Sequence, residues 1–285
     1  MADYVPPAPK LHEQDLKDKV AIVTGASKGI GRAITLSLAT RGCSILGTYS
    51  SPESAHNFDT LSSTVRGLYA SSNNETPTMR GVVADIKSLP SVGTLLAALA
   101  NHFPGKKLSI LVFNACFNTR PRIGSASEAD ISHSLTGNLH WPIVLMENLV
   151  RQHLFTPHSR VVVISSDRVR DPSPGSGLFN ATRAAMESLV RSWAIELPHS
   201  FPGTTVNAVS VGLTDTPGLR SFPPEAVQAL KEQRLPKVKV AEGGRLGQAE
   251  DIADVVGFLA SEKSRWVSGS VVAANGGAEW VGGSS

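Results

Sequence analysis

The sequence predicts an α/β fold, a single doubly wound parallel sheet with helices on both faces, and three observations carry that prediction. Short apolar runs rich in Val and Ile alternate with longer stretches of helical period. The runs are followed by Gly, Asp, Asn or Ser, residues suited to strand-to-helix turns and helix caps. At 285 residues and 41% hydrophobic, the chain is long enough for one large core and short enough to remain one domain.

Taken in order, the N-terminal stretch MADYVPPAPKLHEQDLKDK carries an early acidic residue and three prolines, with no apolar core of seven or more residues. It therefore reads as neither a signal peptide nor a membrane anchor. Residues 1–16 are expected to be a flexible arm and residues 17–285 the domain. Six or seven strands are expected, with candidates at Val20–Thr24, Ser44–Thr48, Gly81–Ala84, Leu108–Phe113, Val161–Ser165, Thr205–Val209 and Ser270–Ala274. The helical stretch Arg32–Arg41 follows the first strand. Between Tyr69 and Arg80 the segment ASSNNETPTM is polar and aperiodic, so it reads as a surface loop between a helix and the third strand. Met186, Leu189, Val190, Trp193, Ala194 and Leu197 recur at the i, i+3, i+4, i+7 spacing of a buried helix face. From Leu213 to Val240 the chain turns to Pro, Lys and Glu, with a short helical pattern in Pro224–Arg234; at this place in an open sheet such a segment covers the ligand crevice, and residues 213–240 are expected to be a mobile lid.

Composition excludes several function classes. Lys and Arg total 27 against 24 Asp and Glu, a net charge of +3, and no basic run alternates with aromatics, so no nucleic-acid surface is expected. The two cysteines, Cys43 and Cys116, are too few for a disulfide framework and lack metal-ligand spacing. A reducing, cytoplasmic setting without a metal or a membrane partner follows.

Directly after the first strand stands TGASKGIG, then a helix. Glycines at Gly25, Gly29 and Gly31 let the backbone turn tightly and approach a pyrophosphate, whose charge the helix N-terminus attracts. Gly25, Ser27, Lys28, Gly29, Ile30 and Gly31 are thus candidate cofactor contacts. After the second strand, TYSSPES offers hydroxyls at Ser50 and Ser51 and no carboxylate to hydrogen-bond a free ribose 2′-OH. With Lys28 adding positive charge, the expected cofactor is NADP(H).

The spacing TGxxxGxG makes the chain resemble the short-chain dehydrogenase/reductase family, and the resemblance runs from Lys17 to Val281. It implies a Rossmann-like sheet. By the same resemblance Asp85 matches an adenine-contacting Asp, and FNAC at Phe113–Cys116 stands where NNAG is usual, with Asn114 and Ala115 kept and Cys116 replacing Gly. A buried Cys in that place reads as a small hydrophobe more readily than as a reactive thiol. Asn207 and Gly212 match VNxVxPG, Val211 replacing its Pro; Thr216 matches a carboxamide-contacting Thr. The closing stretches GRLGQAEDIADVVGFLAS and SGSVVAANGG resemble the family's last helix and strand, a common subunit interface, which implies a homodimer or homotetramer.

Catalysis in that family uses an Asn, a Ser, a Tyr and a Lys. Asn138 in TGNLHW matches the Asn and Ser166 in VVVISSDR the Ser, but thirteen residues beyond Ser166 stands Phe179, and four further on Arg183. Positions i and i+4 share one helix face, so YxxxK persists in layout as FNATR. Register slip is excluded, because the only tyrosines are Tyr4, Tyr49 and Tyr69. A phenyl ring has no exchangeable proton and a guanidinium does not release one near neutral pH, although Arg183 still offers the ribose a hydrogen bond and an oxyanion a positive charge. Substitute proton carriers are Asp167, Arg168 and His140, of which the imidazole is the type that titrates nearest neutrality.

Three readings follow. The first is an NADP(H)-dependent oxidoreductase acting on a carbonyl or alcohol of an apolar or aromatic small molecule, as Phe117, Trp141, Phe179 and the Pro-rich lid suggest. TYSSPES and its surroundings resemble reductases of polycyclic polyketides, which implies secondary metabolism. The second is a non-redox cyclase, isomerase or lyase on the same scaffold. The third is a catalytically silent NADP-binding subunit.

Overall fold

The computed structural model describes residues 8–282. Its elements alternate as the sequence pattern requires: β1 (Val20–Val23), α1 (Gly29–Ala39), β2 (Ser44–Tyr49), α2 (Ala55–Ala70), β3 (Met79–Val83), α3 (Ser91–His102), β4 (Leu108–Phe113), α4 (Glu128–Leu135), α5 (Trp141–Arg151), β5 (Phe155–Ser166), α6 (Gly177–Ser200), β6 (Thr205–Val211), α7 (Pro217–Arg220), α8 (Pro224–Arg234), α9 (Ala249–Leu259) and β7 (Val271–Ala274). The strands form one seven-stranded sheet in the order β3-β2-β1-β4-β5-β6-β7, and every pairing is parallel. This is the doubly wound α/β sheet that the sequence predicts.

Alternate residues of each strand feed two cores. Ala21 and Val23 face α1, α2 and α9, while Val20 and Ile22 face α3, α5 and α6. Being covered on both sides, β1 and β4 are buried at every position, which explains sequences that are apolar throughout β1 and interrupted only by Ser109 in β4. Phe58 of α2 settles over β2 and β3 because Gly47 and Gly81 leave room: a Cβ on Gly47 would lie 2.2 Å from the Phe58 ring and one on Gly81 2.9 Å. Burying such a ring contributes about 1.5–3 kcal/mol.

Some boundaries differ from the sequence expectation. Helix α1 starts at Gly29 rather than Arg32, its first turn being glycine-rich and so without an apolar signal. Strand β5 starts at Phe155 rather than Val161: Phe155 pairs with Leu108, the register shifts before Ile110 pairs with Arg160, and His158 takes a φ of 58°, so the polar segment Thr156–Ser159 hides an irregular strand start. Residues 8–16 depart from a loose arm. Leu16 is buried, His12 and Leu16 donate backbone bonds to Thr40 and Arg41, and Asp15 pairs with Arg41, drawing this segment onto the end of α1. The first seven residues of the expected arm lie outside the described residues.

Helices α7 and α8, within the expected lid, stand after β6 on the side of the sheet where the strand C-termini end. Among the described residues no helix is long and apolar enough to cross a membrane, and no group of three or more His, Cys, Asp or Glu is placed to hold a metal.

Candidate active site

From β1 the chain winds outward through β2 and β3, then returns to place β4 on the other side of β1. Loops leaving β1 and β4 therefore part in opposite directions and open a crevice at their C-terminal ends, where open α/β sheets bind ligands. Thr24 ties the crevice floor. Its hydroxyl donates to Val112 O and accepts from the N–H groups of Asn114 and Ala115, joining the ends of β1 and β4.

A cleft of about 590 Å³ occupies this crevice. At one end the Gly-rich loop enters α1. Gly25 and Gly29 take φ of 69° and 55°, left-handed values that favour glycine, and a Cβ on Gly31 would fall 2.1 Å from Gly25 O and 2.4 Å from the Asn114 amide nitrogen. Asn114 donates its side-chain amide to Thr24 O and Gly25 O at 2.9 and 3.3 Å, holding the loop in that shape. The first N–H groups of α1, which have no partner within the helix, open toward the cleft.

Of the residues expected to hold a cofactor, Gly25, Ser27, Lys28, Gly29, Ile30, Gly31, Ser50, Asp85, Asn114, Arg183 and Thr216 all line the cleft. Ser51 does not. Its hydroxyl bonds the Glu53 carboxylate and holds that group below the usual carboxylate range, while Ser54 takes the place at the cleft wall. Among the described lining residues the carboxylates are Asp85 and Asp167, so no acid from the end of β2 enters. Asp85 accepts from the Lys87 N–H and sits 3.6 Å from its ammonium.

At the other end, Ser166, Phe179 and Arg183 come together. Ser166 closes β5 and its Oγ accepts from Arg168 N at 3.2 Å, leaving the hydroxyl proton free for another acceptor. Phe179 and Arg183 lie one turn apart on α6, 8% and 3% exposed, with the guanidinium carbon 5.5 Å from the ring centroid. Arg183 donates to Ile164 O at 2.9 Å and reaches Asn138 Oδ1 at 3.5 Å, while its Nε is buried without a partner.

Asn138 is brought close but does not line the cleft. It sits on a single π-helical turn, Thr136–His140, between α4 and α5, and its amide exchanges two bonds of 2.7 and 2.8 Å with the Phe117 backbone. Those bonds make the side chain a clamp on the loop after β4. His140, on the same turn, is exposed and outside the cleft, which removes it as a proton carrier there. Trp141 is likewise no lining residue: it is fully buried and donates its indole N–H to Ser91 Oγ. Phe117 does line the cleft, as does Cys116, which is exposed rather than the buried hydrophobe expected.

Asp167 and Arg168 both line the cleft and are 4% and 5% exposed. Burial raises the Asp167 carboxyl above its usual range, against the lowering pull of Arg234 and Arg168. Burial, with Arg234 and Arg120 beside it, pushes Arg168 down to about 10. Sequence reasoning missed Arg120, Phe222 and Arg234, which also line this end. It also missed Glu187, a buried residue of α6 that accepts from Ser165 Oγ at 2.6 Å and pairs with Arg170 at 2.6 Å, binding the end of β5 and its following loop to the helix. The only signal for Glu187 was an acid within a helix two turns of which are apolar.

Comparisons with known proteins agree with this architecture. A family model described as Enoyl-(Acyl carrier protein) reductase matches residues 25–279. The chain is 32% identical over 270 residues to the short-chain dehydrogenase/reductase FrzI of a Cladobotryum species, covering 92% of this chain and 96% of that one. It is 32% identical over 272 residues to NADPH-dependent aldehyde reductase 2 of Arabidopsis thaliana, covering 92% and 94%. Among solved structures it superposes with TM-score 0.77 and 30% identity on LugOII, a promiscuous reductase described as catalysing keto-reduction at C1 during lugdunomycin biosynthesis, covering 93% of this chain and 98% of that one.

Proposed function

Because this chain belongs to the short-chain dehydrogenase/reductase family, we propose that it is an NADP(H)-dependent oxidoreductase of secondary metabolism that interconverts a carbonyl and an alcohol on an aromatic small molecule without a catalytic Tyr. The observation that carries the reading is the complete dinucleotide cradle joined to a cleft end that keeps Ser166 and a buried cation at Arg183. NADPH-dependent aldehyde reductase 2 and LugOII, similar along most of their length, lend support by their described activities.

The residues present fit NADP(H). The Gly31 position tolerates no side chain, the open first turn of α1 suits a pyrophosphate, and Lys28 and Ser50 stand without an opposing acid where a 2′-phosphate would lie. Thr216 caps α7 by accepting from Leu219 N and faces the carboxamide end. Bound NADPH supplies a hydride to the carbonyl carbon. Ser166 Oγ donates to the carbonyl oxygen, and Arg183 places its positive charge beside the growing negative charge. Asp167, its carboxyl raised by burial, delivers the proton to that oxygen and regains one from solvent at the cleft mouth. A ketone, NADPH and a proton thus become an alcohol and NADP⁺. Asn138 acts as a positioning residue, through Phe117 and Arg183.

Residues 213–240 act in this reading as a lid: Leu219, Phe222, Leu230 and Arg234 present themselves to the cleft from α7, α8 and the turn between them. The exposed Ile195 of α6, Phe258 of α9 and Trp266 supply apolar surface for a homodimer or homotetramer in a cytoplasmic setting. One specific feature favours a second reading, a non-redox conversion: the site holds Phe179 as an unreactive wall where proton transfer is usual. Titration with NADPH and NADH, followed by absorbance at the nicotinamide band with aromatic ketones, tests the two. NADPH preference with ketone-dependent oxidation supports the oxidoreductase. Tight NADPH binding with no oxidation by any ketone supports the non-redox reading.

A further inference from the structure

We propose that Arg120 and Arg168 form a carboxylate subsite at the catalytic end of the cleft, so that the substrate is an aromatic keto acid rather than a neutral ketone. The inference rests on the oxidoreductase reading for the word keto, and on the cleft alone for the word acid.

Four guanidinium groups, of Arg120, Arg168, Arg183 and Arg234, line this end against the single carboxylate of Asp167. Two are already engaged. Arg234 is held by the carboxylate and carbonyl of Asp171, which Lys237 also meets at 2.6 Å, and Arg183 by Ile164 O. Among the described residues neither Arg120 nor Arg168 makes an ion pair within 4.0 Å: Arg168 donates to the Ser173 hydroxyl and Arg120 to the Asn118 amide oxygen at 3.2 Å, both neutral acceptors.

Burial makes that imbalance consequential. Arg168 is only 5% exposed, and a guanidinium in a low-dielectric place cannot shed its proton as a buried lysine does. Both arginines are held below the ordinary range of the side chain, first by burial and also by the charge of Arg234. An anion entering the cleft offsets this cost, and a carboxylate matches the planar fork of donors that each residue carries.

Neighbouring rings define what bears the carboxylate. The Arg120 guanidinium stacks 5.4 Å from the Phe179 ring centroid and 5.8 Å from that of Phe222, and Leu219 and Leu230 complete an apolar wall. A flat ring laid along that wall presents a carboxylate to Arg120 and Arg168 while a carbonyl elsewhere on the ring points to Ser166. On this view Phe179 is a platform that keeps Arg120 over the cleft as well as a replacement for a proton donor.

Calorimetric titration of the full chain, saturated with NADP⁺, with 2-naphthoate and the isosteric neutral 2-naphthamide isolates the charge, because neither probe can be reduced. The expected result is naphthoate binding about tenfold or more tighter than naphthamide, as a charge-assisted bidentate bond implies. That selectivity should fall severalfold in R120Q, vanish in the R120Q/R168Q variant and return in part with R168K, while NADP⁺ affinity stays at the wild-type value. Should R168Q fail to fold, R120Q and R168K carry the same comparison. Equal affinity of the two probes for the wild type, or selectivity undiminished in R120Q, overturns the proposal. NADP⁺ affinity, read in the same titrations, judges the cofactor site separately, and its absence would count against the oxidoreductase reading alone.

Discussion

Restoring the missing phenol and ammonium is the perturbation that bears most directly on how the site works. In the F179Y/R183K variant the new hydroxyl sits on a ring that is 8% exposed and already lines the cleft, one helical turn from the substituted cation. A positioned general acid is worth about 10² to 10⁴ in rate, equivalent to roughly 2.7–5.4 kcal/mol of barrier at 1.36 kcal/mol per tenfold. Against this, the shorter Lys gives up the bond from Arg183 to Ile164 O at 2.9 Å and leaves that carbonyl to a weaker partner, a loss of about 1–2 kcal/mol in stability that does not fall on the transition state. Because Asp167 already delivers a proton in the wild type, only part of that range is open to a better-placed phenol, so turnover of 6-acetyl-2-naphthoate with NADPH should rise by about one to two orders of magnitude, with a melting temperature lowered by only a few degrees. Adding Ser166→Ala should remove most of the gain, because the carbonyl oxygen would lose its second donor. A folded double variant that binds NADPH but turns over no faster than the wild type would refute the idea that Phe179 stands where a phenol would serve better than Asp167 in an otherwise competent site.

Three further outcomes follow from the same geometry. Lys28→Ala should weaken NADPH binding by about 1–3 kcal/mol and leave NADH binding nearly unchanged, as measured by fluorescence titration, because Lys28 stands at the N-terminus of α1 with no acid opposite. Ketone reduction by the wild type should fall as pH rises through the raised Asp167 pKa, since the carboxyl must be protonated to donate; Asp167→Asn should lower the rate and abolish that limb of the pH profile. Glu187→Ala should cost about 2–4 kcal/mol in urea unfolding, because it strips Ser165 and Arg170 of their acceptor at a position 3% exposed, and the loss should be smaller in the Arg170→Ala background, where no cation is left unpaired.

Local spacing explains what could be read in advance. The strands β1 and β4 announce themselves because both faces are covered, and Phe179 and Arg183 share one face of α6 because positions i and i+4 of a helix lie one turn apart. Side-chain direction was less legible. Asn138 was found by position, yet the π-turn that carries it aims its amide at Phe117, and the same turn sends His140 to solvent and Trp141 into the core. Charge assembled across the chain was not legible at all. Arg120 follows β4, Arg168 follows β5 and Arg234 ends α8, and only the return of α8 over the cleft toward Asp171 brings the three together. The draw of Leu16 and Asp15 onto α1 was hidden in the same way, behind prolines that suggested a free arm.

Transfer of deuterium from NADPH labelled at nicotinamide C4 decides whether hydride chemistry survives here. The wild-type protein, incubated with the labelled cofactor and 6-acetyl-2-naphthoate and analysed by mass spectrometry, should yield the secondary alcohol carrying one deuterium at the carbinol carbon, from one face of the nicotinamide only. Alcohol without deuterium, or no alcohol from this or any related aromatic ketone while NADPH remains tightly bound, would contradict an oxidoreductase that works without its tyrosine.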